Sequence, residues 1–230
     1  MRVVVLGAGA NVWPFHHTAI EAVGAEVVAV HDVDHDAARR VADELGCAVA
    51  ADLDELLGHD ADLAVVMTPH VHHADQARAC LRAGRHVLVE KPMGITAAET
   101  DAMVAEAARH GRLLAVAVQQ RTRGEVLIAK RVIDSGSLGA LRRFDVLATW
   151  PRRSSYFRTA PWRATWAGEG GGIVVNQGQH DLDLVCWLAG PPAAVFAKTS
   201  NATHGQEVED TATALLEWPD GAYGSPSVAA

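Results

Sequence analysis

Two sets of residues in this chain have the types and spacing that redox chemistry on an alcohol requires. Glu90-Lys91-Pro92 stands at the end of the apolar run His86-Val87-Leu88-Val89, and Gly7 and Gly9 follow an earlier apolar run, Arg2 to Leu6. A residue just beyond a parallel strand points into the crevice where such sheets bind ligands. Pro92 disfavours helical backbone at Lys91, which holds the lysine extended toward that crevice. The second set is Asn176, His180, Asp183 and Trp187. Spacings of four, three and four place them on one face of a helix expected from Ile173 to Leu188. Removing hydride from an alcohol also requires a base for the hydroxyl proton, and histidine titrates in the useful range. The other reading of this stripe is a satisfied buried network between domains.

A nucleotide would supply the hydride acceptor. Gly7 and Gly9 occupy the first two positions of a dinucleotide fingerprint, where glycine permits a tight turn and close approach of backbone to pyrophosphate. Asn11 lies in the same turn, and Val12 takes the third position, departing from the usual Gly or Ala. Asp32 closes the second apolar run, placed to accept hydrogen bonds from a ribose diol. Val33 follows with no arginine adjacent, which favours NAD over NADP because a 2′-phosphate would face the Asp32 charge. Thr68-Pro69-His70 adds a loop at the same crevice edge, with His73 near the start of the next helix. The clusters His70, His72, His73 and His31, Asp32, Asp34, His35 lack the spaced second pair of a zinc signature, so no metal is assigned.

These residues need strands and helices in alternation to position them. Val27 to His31, Leu63 to Met67, His86 to Val89 and Leu113 to Val118 are strand-like runs. Helical segments such as Asp36 to Leu45 and His73 to Ala83 separate them, with Gly46, Gly84 and Gly111 at their ends. Thr96 and Glu99 match a capping box that starts a helix reaching about His110. The expected fold class is α/β: a doubly wound parallel sheet over residues 1–119. Residues 120–230 then form a second α/β domain with an open, mostly antiparallel or mixed sheet. Its expected elements are a helix from Glu125 to Asp134, strands from Leu141 to Thr149, Ala194 to Ser200 and Thr211 to Trp218, and a Pro219-Asp220-Gly221 turn. Pro226 is expected to cut the return strand to Ala222–Ser225, leaving the sheet unfinished.

Composition narrows the partners. Of 230 residues, 49% are hydrophobic and 21% charged, enough apolar material for a packed globular core. The net charge of −8 argues against nucleic acid or an anionic membrane surface as partner. Three scattered cysteines suit reduced thiols better than a disulfide framework. The first strand begins at Arg2, which leaves no room for a leader, and no run approaches membrane-spanning length. A cytoplasmic location is expected.

The chain resembles the glucose–fructose oxidoreductase, inositol dehydrogenase and MocA family. The resemblance rests on the Gly7/Gly9 turn, Thr68-Pro69 with His73, Glu90-Lys91-Pro92, Gln119-Gln120-Arg121, Trp162-Arg163, and the Gly170-Gly171-Gly172 triplet leading to His180 and Asp183. It implies a Rossmann domain for NAD(P), followed by an α/β domain, acting on a sugar, cyclitol or related polyol. It further implies that Lys91 contacts nicotinamide and substrate and that His180 transfers the proton. Asn176 stands where many members have Asp; asparagine holds no proton, so its part would be to orient substrate or His180. Tyr156, Trp162, Arg163 and Trp166 lie in the loop before the triplet, placed to line the cofactor and sugar side of the cleft, with burial in the core an equal alternative for Trp166. Relatives continue with further strands, so the second domain looks shortened, and a homo-oligomer through its sheet is expected. The rival expectations are a noncatalytic nucleotide-binding regulator and a shortened member of low activity.

Overall fold

The computed structural model describes residues 1–158, 160 and 162–230. They form two compact units, Met1–Ala117 and Val118–Ala230.

In the first unit the elements alternate: β1 (Arg2–Leu6), α1 (Trp13–Ala22), β2 (Glu26–His31), α2 (His35–Leu45), β3 (Ala48–Val49), α3 (Leu53–Gly58), β4 (Leu63–Val66), α4 (His70–Arg82), β5 (His86–Val89), α5 (Ala97–His110) and β6 (Leu114–Val116). The strands lie in the order β3-β2-β1-β4-β5-β6 and all pair in parallel. Apolar runs in β1 and β4 reflect burial on both faces of the sheet. Val4 and Leu6 pack with Val66, Leu81 and Met103 on one side, while Val3 and Val5 pack with Trp13, Ile20 and Val41 on the other. Helix starts are fixed by side chains: Asp34 accepts from the N–H groups of Asp36 and Ala37, and Thr96 with Glu99 forms the capping box. β3 and α3 are absent from the sequence-based expectation, because a two-residue strand carries no periodic signal.

The second unit continues after a short 3-10 turn, Gln119–Thr122, with α6 (Gly124–Asp134), β7 (Arg143–Thr149), α7 (Ser154–Phe157), α8 (Trp166–Glu169), α9 (Gln179–Ala189), β8 (Ala194–Ser200), β9 (Thr211–Glu217) and β10 (Tyr223–Ala229). Its sheet has the order β7-β10-β9-β8, with β10 parallel to β7 and antiparallel to β9. Val185 of α9 packs with Leu216 and Trp218, and Ile173 packs with Ala148, Ala212 and Val228. Leu147, Phe196, Leu215 and Tyr223 remain exposed.

Two expectations are corrected here. The return strand does not stop at Ser225: β10 runs to Ala229 as an interior strand, straight through Pro226. Its pairing with β9 joins Gly224 to Leu216 and Ser227 to Thr213 but skips Ser225 and Pro226, while Pro226 stays in register with Val146 of β7. The N–H that proline lacks therefore falls in a gap of one ladder. The helix expected from Ile173 begins only at Gln179, so Asn176 does not share a helical face with His180. Glu209 is the cause. Its carbonyl accepts the Ile173 N–H at 2.9 Å, and its carboxylate accepts those of Gly172 and Val174 at 2.9 and 3.2 Å, drawing the backbone into separate turns.

Candidate active site

In the first unit, Gly7 has φ +90, and a Cβ there would lie 2.8 Å from the Met67 carbonyl carbon and 2.9 Å from Thr68 N. Only glycine fits between the ends of β1 and β4. The Asp32 carboxylate is fixed by two backbone donors, Gly9 N–H at 2.8 Å and Asp34 N–H at 2.8 Å. The acid and the glycine turn are thus one rigid piece at the carboxyl ends of β1 and β2. Asn11 is exposed, and Val12 is half-buried at the start of α1, packed against the Val3 side of the core. A β-branched residue at the third fingerprint position is accommodated by that packing.

The histidines after Pro69 open α4 instead of lying in a loop: Pro69 is its N-cap, and His70 and His73 are buried in its first turn. The His73 ring lies between two loops, with Nε2 2.7 Å from the Thr68 carbonyl and Nδ1 2.7 Å from the Pro92 carbonyl, and in its neutral form it donates to one of them. Burial holds its ring below the ordinary histidine range, against the pull of both carbonyls and of Glu90. Thr68 Oγ1 donates to Gln76 Oε1 at 2.5 Å. At the end of β5, Glu90 Oε1 lies 2.8 Å from His16 Nε2, and Oε2 accepts the Lys91 N–H at 3.2 Å. Burial raises the Glu90 carboxyl, but His16 and Lys91 outweigh it and hold it below the usual range. The half-buried Lys91 follows, with a cis bond to Pro92. His16 on one side and His73 on the other brace the Lys91 loop.

In the second unit, Asn176 is buried and its amide Nδ2 donates to Glu169 Oε1. A carboxylate only accepts, so this contact fixes which end of the amide is which. Glu169 is itself 2% exposed, and its Oε2 accepts the Ala164 N–H at 2.6 Å. Arg163 Nη1 lies 3.9 Å from Glu169 Oε1 and donates to the Tyr156 hydroxyl at 2.7 Å. The same hydroxyl accepts from Gln177 Nε2 at 3.2 Å, and the Arg163 guanidinium stacks 4.6 Å over the Trp162 ring. Tyr156, Trp162, Arg163 and Asn176 are therefore one connected network, with His180 four residues on in the first turn of α9. Trp166 is 54% exposed at the start of α8, outside the core. Glu169, Gln177 and Glu209 were not singled out from sequence. The one available signal was an acid placed directly before a glycine triplet. Among the described residues, no group of three or more His, Cys, Asp or Glu side chains is arranged to hold a metal.

Two family models match: "Oxidoreductase family, NAD-binding Rossmann fold" over residues 1–118 and "GFO/IDH/MocA C-terminal domain" over residues 126–229. The chain belongs to the GFO/IDH/MocA oxidoreductase family. A 1-carboxy-3-chloro-3,4-dihydroxycyclohexa-1,5-diene dehydrogenase of Comamonas testosteroni is 31% identical over 229 residues, 96% of this chain and 56% of that protein. The scyllo-inositol 2-dehydrogenase (NADP(+)) IolW of Bacillus subtilis is 32% identical over 167 residues, 70% of this chain and 44% of that protein. Among solved structures, the WlbA dehydrogenase of Bordetella pertussis in complex with NADH and UDP-GlcNAcA superposes with a TM-score of 0.95 at 33% identity, covering 100% of this chain and 66% of that one. The chain thus spans roughly half to two-thirds of the length of these GFO/IDH/MocA relatives. The family's NAD fits the residues present: the backbone at Gly7 leaves no room for a Cβ, one at Gly9 would press on the Ala37 and Asp32 side chains, and Asp32 directly follows β2. Among the described residues, no helix is long and apolar enough to cross a membrane.

Proposed function

We propose that this protein is an NAD-dependent oxidoreductase that moves hydride between a hydroxyl of a sugar, cyclitol or related polyol and nicotinamide. The observation that carries the reading is the braced loop after β5, where His16 through Glu90 on one side and His73 through the Pro92 carbonyl on the other fix the backbone around Lys91. Bound NAD supplies the hydride acceptor. Lys91 orients and polarises the substrate hydroxyl, and its ammonium stabilises developing negative charge on that oxygen. His180 accepts the hydroxyl proton. Asn176, its amide set by Glu169, orients substrate or His180 without exchanging a proton. Thr68, Pro69, His70, Glu90 and Trp162 belong to the cofactor side, Tyr156 to the substrate side, and Arg163 to both. We also assign the exposed outer face of the four-stranded sheet to contact between copies of the chain.

The test is a panel of sugars and cyclitols screened for NAD reduction by absorbance, with Lys91→Met and His180→Ala alongside. Each variant should lower turnover by about a hundredfold or more while NAD binding is largely kept. NAD binding without turnover of any polyol would identify a nucleotide-binding regulator instead.

A further inference from the structure

Residues 146–168 carry four arginines and no acidic residue in a chain whose net charge is −8. Two of them meet at one ring: the guanidinium groups of Arg152 and Arg163 lie 5.1 and 4.6 Å from the centroid of Tyr156. Arg163 has Glu169 as a counter-charge at 3.9 Å. Among the described residues Arg152 has no carboxylate within 4 Å and one hydrogen bond, to the Pro151 carbonyl at 3.2 Å, and its Nε is buried without a partner. A guanidinium with a desolvated donor and no carboxylate within ion-pair distance is an incomplete charge arrangement.

Its surroundings tie it to the segment that carries the site. Arg152 stacks on Trp150 at 6.0 Å as well as on Tyr156. Trp150 Nε1 donates to Asp181 at 3.1 Å, and Tyr156 OH accepts from Gln177 at 3.2 Å. Both aromatic platforms are thus pinned on either side of His180, and they hold the Arg152 guanidinium in place. Stacked arginine presents its planar fork to carboxylate or phosphate oxygens.

We infer that the substrate carries an anionic group, a carboxylate or a phosphate, which Arg152 binds. This deepens the proposed function and rests on it for the location of the substrate. The test compares matched substrates in NAD reduction: glucose, glucuronate, glucose 1-phosphate, UDP-glucose and UDP-glucuronate. At least one anionic member should exceed glucose in kcat/KM by about tenfold or more, and the uronate and phosphate arms tell which anion is read. Arg152→Met should collapse that ratio toward one, and Arg152→Lys should keep part of it. An equal ratio in the unmodified protein, or one unchanged in Arg152→Met with an unaltered melting curve, overturns the inference. Should none of the panel be oxidised, the proposed function fails separately, and calorimetric titration with the same compounds decides the anion question: binding of an anionic member that is lost in Arg152→Met supports it, and its absence overturns it.

Discussion

The guanidinium of Arg121 grips both carboxylate oxygens of Asp183, with Nε 2.7 Å from Oδ2 and Nη2 2.5 Å from Oδ1. It also lies 4.6 Å over the Trp187 ring, so one side chain fixes two turns of α9, the helix that begins with Gln179 and His180. Bidentate pairing is the geometry lysine cannot supply. Arg121→Ala should destabilise the second unit by about 1–3 kcal/mol, read by urea denaturation, since the pair is only partly shielded from solvent. Arg121→Lys should recover a minor share of that loss. Equal stability of Arg121→Ala and the unmodified protein would deny the clamp its part.

A methyl group at residue 172 would lie 1.9 Å from the Glu209 carbonyl oxygen, a backbone atom that the Ile173 N–H holds in place. Gly172→Ala should therefore destabilise by more than about 3 kcal/mol, or prevent folding of the second unit. Gly124→Ala is the matched control: no atom lies within 4 Å of its added Cβ, at the first residue of α6. Its melting temperature should stay the same or rise slightly.

Stability of the first unit should fall on acidification in two stages. His73 is held below the ordinary histidine range, so as pH drops below about 6.5 the unfolded chain takes up a proton that the folded chain does not. That contribution is present above the histidine range and is lost below it. Glu90 is held below the carboxylate range, so its contribution is present above about pH 4.3 and disappears as pH falls through its folded value. Melting curves from pH 7.5 to 3.5 test both stages. His73→Gln should flatten the upper one and Glu90→Gln the lower one, whatever each does to stability at neutral pH.

With its carboxylate fixed by Gly9 and Asp34, Asp32 presents a negative charge that a 2′-phosphate would meet. NAD should bind more tightly than NADP in calorimetry. Asp32→Ala should narrow the gap and weaken NAD as well, because the Gly9 turn loses its acceptor. Tighter binding of NADP by the unmodified protein would reverse the assignment.

Much of the first unit was legible in the chain because its signals are local. Buried parallel strands read as apolar runs, Thr96 with Glu99 announces its helix, and Gly7, Asp32 and Lys91 sit at strand ends that those runs mark out. In the second unit the contacts that mattered join residues far apart in sequence. Glu209 turns the Gly172–Val174 backbone away from helix, which separates Asn176 from the helical face of His180 and places it against Glu169. Pro226 lies inside a sheet because the β9 ladder skips it while β7 pairs through it. Local periodicity carries no information about an acceptor thirty-odd residues away or about a gap in a neighbouring strand's ladder; those were decided when the chain packed, by which buried donors found which acceptors.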